Sequence, residues 1–325
     1  MTAKLYSLYE WNARNFLEEM VHLWNETLSD YFPLNKKLFE RNVFHPLYLN
    51  LERSSLLIDN DTVVGYLIAK SDPFRVLGGR GSLWISCIVV HPAYQKKGYG
   101  SAMIKHALGD KGNVYDKYHI GSDPHHFFPG IPQELTEAQV FFKKHGFNLS
   151  GEAYDLHCDI TKYHYTSPPL DEEYHVRRLL PKDQGPLFQH LKENYSLRWF
   201  EDTKWSLTYE KNISSLIGLF HREKVIGFAH VHTKGDNFWI PSVYWGKLHN
   251  PSFGGLGPVG IHKDYRGLGV GSYFMVESLK ILQLEGVKEM EIDWTILVDY
   301  YKKFHFKPCR SYIHGQINNN VENES

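Results

Sequence analysis

The stretch "DYRGLGVGSYF", residues 264–274, has three glycines at alternate positions and runs into an apolar pattern with helical spacing. A glycine-rich turn at the start of a helix presents several backbone N–H groups at the positive end of the helix dipole. Phosphate and diphosphate groups bind to this arrangement. A second stretch, "AYQKKGYGSAMI" (93–104), has the same form. One such loop is equally well explained as a tight turn between strand and helix, whereas two in register indicate a shared function.

The surroundings of the two loops also correspond, which indicates an internal repeat. Each loop is preceded by a strand, a polar turn and a second strand, at 55–70 and at 215–232. A further apolar strand leads into each glycine loop, and each copy closes with an aromatic-rich helix end. The matched pairs are Gly65 and Gly227, 162 positions apart, Gly98 and Gly269, 171 apart, and Phe147 and Phe306, 159 apart. The order is kept throughout, so the chain is interpreted as two copies of one domain.

The alternation of strands and helices predicts an α/β fold, with a mixed, twisted sheet flanked by helices in each copy. We expect an N-terminal domain over 1–162 and a C-terminal domain over 175–316. Residues 163–174 contain paired prolines and acidic residues and are predicted to be the linker. The asparagine-rich end, 317–325, is predicted to be a disordered tail.

Composition excludes several classes of protein. The 325 residues are 42% hydrophobic and carry a net charge of -1, which favours packed cores over general binding to nucleic acid or anionic membranes. We see no N-terminal signal pattern and no apolar run of membrane-spanning length, and the three cysteines lack metal-site spacing. These observations predict a cytoplasmic protein with reduced thiols. His230 and His232 would share one face of a strand, but no third ligand is apparent, so no metal is expected.

Two common phosphate-binding motifs fit poorly. Neither glycine loop ends in the Gly-Lys-Ser/Thr of a P-loop. The segment Gly255–Gly260 matches the dinucleotide pattern Gly-x-Gly-x-x-Gly, yet it contains Pro258 and no helix follows directly. We interpret this segment as a bulged strand.

The pattern that fits both loops is Gln/Arg-x-x-Gly-x-Gly, found at 95–100 and 266–271. It resembles motif A of the GCN5-related N-acetyltransferase superfamily, whose loop binds the pyrophosphate of acetyl-CoA. The resemblance covers nearly the whole chain, twice, and implies acetyl-CoA as co-substrate. The cofactor-binding residues that it implies are Val259, Ile261, Arg266, Gly267, Leu268, Gly269, Val270, Gly271 and Ser272, with Val90, Gln95, Lys96, Lys97, Gly98, Tyr99, Gly100 and Ser101 in the first copy.

The resemblance also implies a tyrosine that protonates the departing thiolate, five residues before the Phe that ends the last helix. This position is Tyr301 in the second copy and Phe142 in the first, so the second copy is predicted to be catalytic and the first impaired. In the second copy His305 replaces the usual Gly before Phe306. The alternative for Tyr301 is a packing residue.

Asp293, at the end of a predicted strand, is the candidate base for the amine proton. A helix cap or a solvated acid explains Asp293 equally well, and Asp299 is a weaker rival. Glu291 lies two positions earlier and would share the face of Asp293 on a regular strand. In the first copy, Asp123 occupies a broadly similar place.

Two aromatic segments, 125–130 and 238–250, are candidates for an acceptor site, because aromatic faces beside polar groups suit sugar rings. The candidate residues are Phe127 and Phe128 in the first segment, Trp245 in the second, and Trp294 beside Asp293. Mutual burial of the two segments is an alternative of at least equal weight.

The phrases "FFPGIP" and "IDWTILVDYYKKF" resemble bacterial glucosamine and glucosaminide N-acetyltransferases, which implies an amino sugar as acceptor. A non-catalytic acyl-CoA sensor and a protein-lysine or peptide acetyltransferase remain open. The first copy is expected to keep acetyl-CoA as a structural ligand, and the oligomeric state is left open.

Overall fold

The computed structural model describes residues 3–10, 12–44, 47–72, 81–109, 115–210, 212–246 and 252–319. Within these ranges the strands are β1 Lys4–Ser7, β2 Ser55–Asp59, β3 Thr62–Ser71, β4 Ser82–Val90, β5 Lys117–Ile120, β6 Ile131–Pro132, β7 Asn148–Asp159, β8 Tyr174–Arg178, β9 Leu216–His221, β10 Lys224–His232, β11 Phe253–Ile261, β12 Glu289–Thr295 and β13 Lys307–Asn318. The α-helices are α1 Leu17–Leu28, α2 Lys36–Val43, α3 Tyr99–Leu108, α4 Thr136–Lys144, α5 Gln184–Asn194, α6 Leu197–Glu210, α7 Val270–Leu284 and α8 Val298–Lys302. Most of the predicted tail, 320–325, lies outside the described residues.

The chain forms two compact units, of which unit 1 is made of two separate segments and unit 2 of one continuous segment. Unit 1 comprises Met1–Ala153 together with Arg310–Ser325, and unit 2 comprises Tyr154–Cys309. Each unit has a mixed sheet flanked by helices, so the predicted α/β fold is confirmed. The contiguous ranges predicted from the sequence differ from these units because the chain crosses between them twice, along β7 and along β13.

Unit 1 contains the sheet β1-β2-β3-β4-β5-β13. The hairpin predicted at 55–70 is β2 and β3, and β4 pairs with β5 in parallel from Ser82↔Lys117 onward. The next strand is the C-terminal one: β13 pairs antiparallel with β5, for example Gly315↔Ile120, and β6 pairs with β13 as well. In the strand order β13 is followed by β7. One strand of the unit 1 sheet therefore comes from the far end of the sequence.

Unit 2 contains the corresponding sheet, β8-β9-β10-β11-β12, extended by the second half of β7. The strands β11 and β12 are parallel, and β12 pairs antiparallel with β7 from Glu289↔Asp159 onward. The strand beside β12 in unit 2 is thus the first segment of unit 2 along the chain, from Tyr154 to Asp159. A strand pattern does not reveal which sheet a strand joins, because the alternation of side chains is the same in both cases.

Helices cover both faces of each sheet. In unit 2, α7 packs on a core that includes Leu256, Val270 and Phe306, and α5 and α6 pack on the opposite face around Phe228. In unit 1, α3 and α4 cover a core around Met103. This arrangement leaves the ends of β4 and β11, where the glycine loops begin, at the edge of each core.

Candidate active site

Two bulges open a cleft between the parallel strands of unit 2. Regular pairing of β11 with β12 ends at Leu256↔Ile292. Opposite β10, the register jumps from Leu256 to Val259, so the extra residue lies at Gly257-Pro258, as predicted for this glycine-rich strand. Opposite β7, β12 jumps from Ile292 to Thr295. Bulges bend strands and redirect side chains, and these two lie where the strands separate.

The glycine loop of unit 2 presents free backbone amides. Gly267 and Gly269 have φ of 81° and 79°, in the left-handed region that favours glycine, and α7 begins directly after them. A side chain on either glycine would meet no atom within 4 Å. Within the described part of the chain, the N–H groups of 267–271 donate no hydrogen bond. These amides at the N-terminus of a helix of 15 residues suit a diphosphate.

The glycine loop of unit 1 has the same backbone. Gly98 has φ of 88° and precedes α3, and Lys96, a non-glycine residue, has φ of 58° where Gly267 stands in unit 2. In the described ranges, the amides of 96–101 likewise donate to no protein group. Unit 1 therefore retains the geometry of an anion site.

The first residue of each motif ties its loop to the preceding strand. Gln95 Nε2 donates to the Val90 carbonyl at 2.9 Å, and Arg266 Nε donates to the Ile261 carbonyl at 3.0 Å. The two bonds occupy equivalent places, and they fix the loop relative to the end of the strand. Arg266 and Gln95 therefore act at least partly by positioning backbone.

Tyr301 is buried at the start of the cleft, with 8% of its surface exposed. Burial raises its pKa, and the neighbouring Tyr300 and Asp293 raise it further, so the hydroxyl is protonated at neutral pH. Tyr300 Oη lies 3.3 Å from the position of a Cβ on Gly271, beside the glycine loop. In unit 1 the equivalent pair is Phe141 and Phe142, with the Phe141 ring 3.2 Å from a Cβ on Gly100. The packing is the same, and only unit 2 has hydroxyls there.

Asp293 lies at the cleft because of the bulge in β12. Its Oδ1 is 3.3 Å from the position of a Cβ on Gly257, across the opening between the strands. Glu291 does not accompany it: this side chain is 2% exposed and accepts a hydrogen bond from the Cys309 thiol at 3.7 Å. The expectation that both acids share one face holds only for a regular strand, and the bulge ends that regularity.

Asp123 is not the counterpart of Asp293. Lys117 begins the pairing of β5 with β4, opposite Ser82, and Glu289 begins the pairing of β12 with β11, opposite Phe253. Four positions further along each strand, Gly121 of unit 1 is therefore equivalent to Asp293 of unit 2. Asp123 is fully buried and paired with the ammonium of Lys70 at 2.5 Å. Asp123 is therefore held within the core of unit 1.

Three of the four aromatic acceptor candidates pack in cores. Phe127 and Phe128 are 2% and 7% exposed and contact the Trp24 ring, with centroids 5.0 and 5.7 Å away. Trp245 is 3% exposed and packs edge-on against Tyr244. Burial in these clusters explains the three side chains, and we leave them out of the acceptor site.

Trp294, the fourth candidate, is half-buried next to Asp293. Its backbone φ is 44°, which is unusual for a residue with a large side chain, and its backbone N–H donates to Asp155 Oδ1 at 3.2 Å. The guanidinium of Arg198, on α6, lies 5.3 Å from the centre of its ring. This aromatic surface is held at the cleft by the same bulge that places Asp293.

The departure at His305 has a local explanation. His305 has φ of 72°, equivalent to Gly146 at 86° in unit 1. Its ring stacks on Tyr163 with centroids 3.7 Å apart. This contact offsets the strain of a non-glycine residue in the left-handed region.

The histidines and cysteines serve other roles. His230 Nε2 is 3.0 Å from the Thr203 hydroxyl and His232 Nδ1 is 3.1 Å from the Phe238 carbonyl. No group of three or more potential metal ligands occurs among the described residues. Cys87 and Cys158 are buried, and Cys309 is exposed. In the described ranges, no helix is both long and apolar enough to cross a membrane.

Tyr195 lies at this site although no sequence motif indicates it. Tyr195 follows α5, and its hydroxyl lies against Gly260 of β11. The available signal was the glycine itself, since a glycine inside a strand often marks the close approach of another group.

Models of acetyltransferase domains match both halves of the chain. The acetyltransferase (GNAT) domain model matches residues 52–149, and the acetyltransferase (GNAT) family model matches residues 178–306. The chain therefore belongs to the GCN5-related N-acetyltransferase (GNAT) family and carries two of its domains in tandem. Among curated proteins, none matches this chain with significant sequence similarity.

Solved structures show the same architecture. The glucosamine N-acetyltransferase region of a fungal multi-domain GH3 β-N-acetylglucosaminidase has a TM-score of 0.84 at 22% identity; the match covers 97% of this chain and 38% of that one. A tandem GNAT protein of the clavulanic acid biosynthesis pathway has 0.68 at 14%, covering 97% and 98%. A GCN5-related N-acetyltransferase from Sphaerobacter thermophilus has 0.63 at 15%, covering 94% and 93%. At these identities the likeness shows the fold.

Proposed function

We propose that this acetyltransferase is acetyl-CoA-dependent, acts on the primary amine of a small molecule, and carries out catalysis in unit 2. The observation that carries the proposal is the pairing of a buried, protonated Tyr301 with Asp293 at the cleft of unit 2. Unit 1 has Phe142 and Gly121 at the two equivalent positions.

Different residues along the cleft of unit 2 bind acetyl-CoA and transfer protons. The amides of 267–271 bind the diphosphate of acetyl-CoA, and the backbone at Val259 and Ile261 holds its acyl-bearing arm. Acetyl-CoA supplies the activated acetyl thioester. Asp293 accepts a proton from the acceptor ammonium, so that a neutral nitrogen attacks the carbonyl carbon. As the C–N bond forms and the C–S bond breaks, Tyr301 donates its proton to the sulfur, and the proton that the new amide nitrogen loses restores the Tyr301 hydroxyl by way of solvent.

Unit 1 is proposed to bind acetyl-CoA without turning it over. Its loop has the free amides and the left-handed glycine of unit 2. It lacks the hydroxyl and the carboxylate that the chemistry requires. The bound molecule would stabilise unit 1 by mass action, since it binds the folded loop.

We propose an amino sugar, glucosamine or a glucosaminide, as the acceptor. The fungal structure with the same fold is described as a glucosamine N-acetyltransferase region, and it supports this substrate class. The half-buried ring of Trp294 beside Asp293 offers an apolar surface next to a carboxylate, which suits a sugar ring bearing an ammonium group.

The test is release of free thiol from acetyl-CoA by the purified protein across a panel of amines that includes glucosamine. Tyr301→Phe removes the proton donor while keeping the ring, and we expect kcat to fall about 100-fold, the usual scale of general acid catalysis. Tyr300→Phe is the matched control on the same helix. Its hydroxyl faces Gly271, so kcat should change less than about threefold.

Turnover with glucosamine that is unaffected by Tyr301→Phe would refute the role of Tyr301. Turnover confined to lysine peptides would replace the amino sugar with a protein acceptor. Tight binding of acetyl-CoA without turnover of any amine would favour the sensor alternative.

A further inference from the structure

The hydroxyl of Tyr195 is enclosed by protein; the guanidinium of Arg266 approaches its oxygen as a donor, and the hydroxyl proton has no acceptor in the described residues. Its ring is held on three sides. It stacks on Trp199 at 4.9 Å and meets Phe228 and His190 edge-on at 5.6 and 5.5 Å. A phenylalanine would make the same ring contacts without the free-energy penalty of burying a hydroxyl proton that has no acceptor. The hydroxyl therefore needs an explanation other than packing.

The hydroxyl is directed at the strand that we assign to the cofactor. A Cβ on Gly260 would lie 2.7 Å from Tyr195 Oη and 2.8 Å from Cζ, so only glycine fits at that position of β11. Gly260 stands between Val259 and Ile261, the proposed binding segment for the acyl-bearing arm. Tyr195 thus reaches this segment from the face of the sheet that α5 and α6 cover.

A second unpaired donor lies beside it. His190 is 4% exposed, and its Nδ1 is 3.3 Å from the Asn194 side-chain nitrogen, which also donates to the His190 carbonyl at 2.9 Å. Because Nδ1 accepts there, the ring proton of neutral His190 is assigned to Nε2, which has no partner in the described part of the chain. Burial lowers the pKa of His190 to about 4, so the ring is neutral at pH 7.

We propose that the Tyr195 hydroxyl is a binding group for acetyl-CoA, donating a hydrogen bond to a carbonyl oxygen of the pantetheine arm lying along Val259–Ile261. This inference rests on the proposed function. Burial raises the pKa of Tyr195 to about 12, and Arg266 opposes that rise, so the group acts as a donor and not as a base. The exposed side chain of Arg266 is close enough to influence the hydroxyl, and its rearrangement towards the diphosphate would expose the hydroxyl to the arm.

The test is Tyr195→Phe in the full chain, assayed with acetyl-CoA and with acetyl-pantetheine, which lacks the nucleotide and its diphosphate. We expect KM to rise about five- to tenfold for both donors, the effect of one lost hydrogen bond, with kcat changed less than about threefold. The unfolding midpoint without ligand should stay about the same, because the hydroxyl proton has no protein acceptor in the described residues and the Arg266 side chain that approaches the oxygen is exposed.

Tyr273→Phe is the matched control in unit 2. Its hydroxyl donates to the Tyr174 carbonyl at 3.3 Å, so this variant should lose stability and keep the KM for acetyl-CoA. An unchanged KM in Tyr195→Phe would overturn the inference. A rise confined to acetyl-CoA would also overturn it, because Tyr195 would then act through Arg266. So would a clear fall in the unfolding midpoint, because the hydroxyl proton would then have a protein acceptor.

The two proposals fail in different ways. If the wild-type protein turns over acetyl-CoA and Tyr195→Phe matches it, only the role of Tyr195 is lost. If the wild-type protein neither binds nor turns over acetyl-CoA, the proposed function fails and the role of Tyr195 fails with it.

Discussion

Replacing Lys70 with methionine should sharply destabilise unit 1, because it leaves a carboxylate buried without its cation. Lys70 and Asp123 are both fully buried, and the ammonium donates to Asp123 at 2.5 Å, to the Pro124 carbonyl at 2.9 Å and to the His125 carbonyl at 3.2 Å. Ser86 donates to the same carboxylate oxygen at 2.8 Å. The ammonium therefore ties β3 to the segment that follows β5.

The expected magnitude follows from the buried charge. Removing one member of a buried ion pair destabilises by about 3–5 kcal/mol, which is roughly 6–20 °C in the unfolding midpoint of a domain of this size. Ser86→Ala removes one hydrogen bond to a charged group, about 1.5–3 kcal/mol. The double variant Lys70→Met/Asp123→Leu should be less destabilised than Lys70→Met alone, because the buried carboxylate is removed together with its cation.

Scanning calorimetry measures the change in the unfolding midpoint directly. A loss under about 1 kcal/mol in Lys70→Met would refute the reasoning from buried charge. The kcat of the folded variant reports on the proposed division of labour: it should stay at the wild-type value if unit 2 performs the chemistry.

Two further predictions concern unit 2. Gly269→Ala and Gly286→Ala each place a methyl group in open space, at opposite ends of α7, where φ is 79° and 87°. Each should destabilise the protein by about 1–2 kcal/mol because of the left-handed backbone, but only Gly269→Ala should raise the KM for acetyl-CoA. Equal effects on KM would contradict binding at the glycine loop. Burial lowers the pKa of His230 to about 4, so as pH falls below about 6.5 the unfolded chain takes up a proton that the folded chain does not, and stability decreases. His230→Gln should therefore remove about 2 kcal/mol of the stability lost between pH 6.5 and 5 in urea unfolding, and an unchanged pH dependence would show that His230 is protonated in the fold.

The repeat, the glycine loops and the bulged strand could all be predicted from the sequence, because each depends on local spacing. Glycines at 267 and 269 before an apolar helical pattern specify a turn into a helix wherever they occur. The position of Tyr301, five residues before Phe306, depends on local spacing in the same way, and its catalytic role stays a prediction.

Features that depend on contacts between distant segments could not be predicted. Asp123 and Asp293 both follow a strand, and only the pairing register shows that they are not equivalent. Phe127 and Phe128 carry the composition of a binding loop, yet Trp24, about a hundred residues earlier, encloses them. The proposed role of Tyr195 depends on its contact with Gly260, which lies 65 positions further along the chain.

The crossing of β13 into unit 1 sets an order for biosynthesis. During translation, residues up to 153 of unit 1 are made before unit 2, but the strand that pairs with β5 is made only after unit 2. Until then, the edge of β5 has free backbone groups, which makes it prone to pairing with other chains. A fragment that stops at residue 162 would retain that open edge permanently. Unit 1, which is begun first, is therefore the last of the two to complete its sheet.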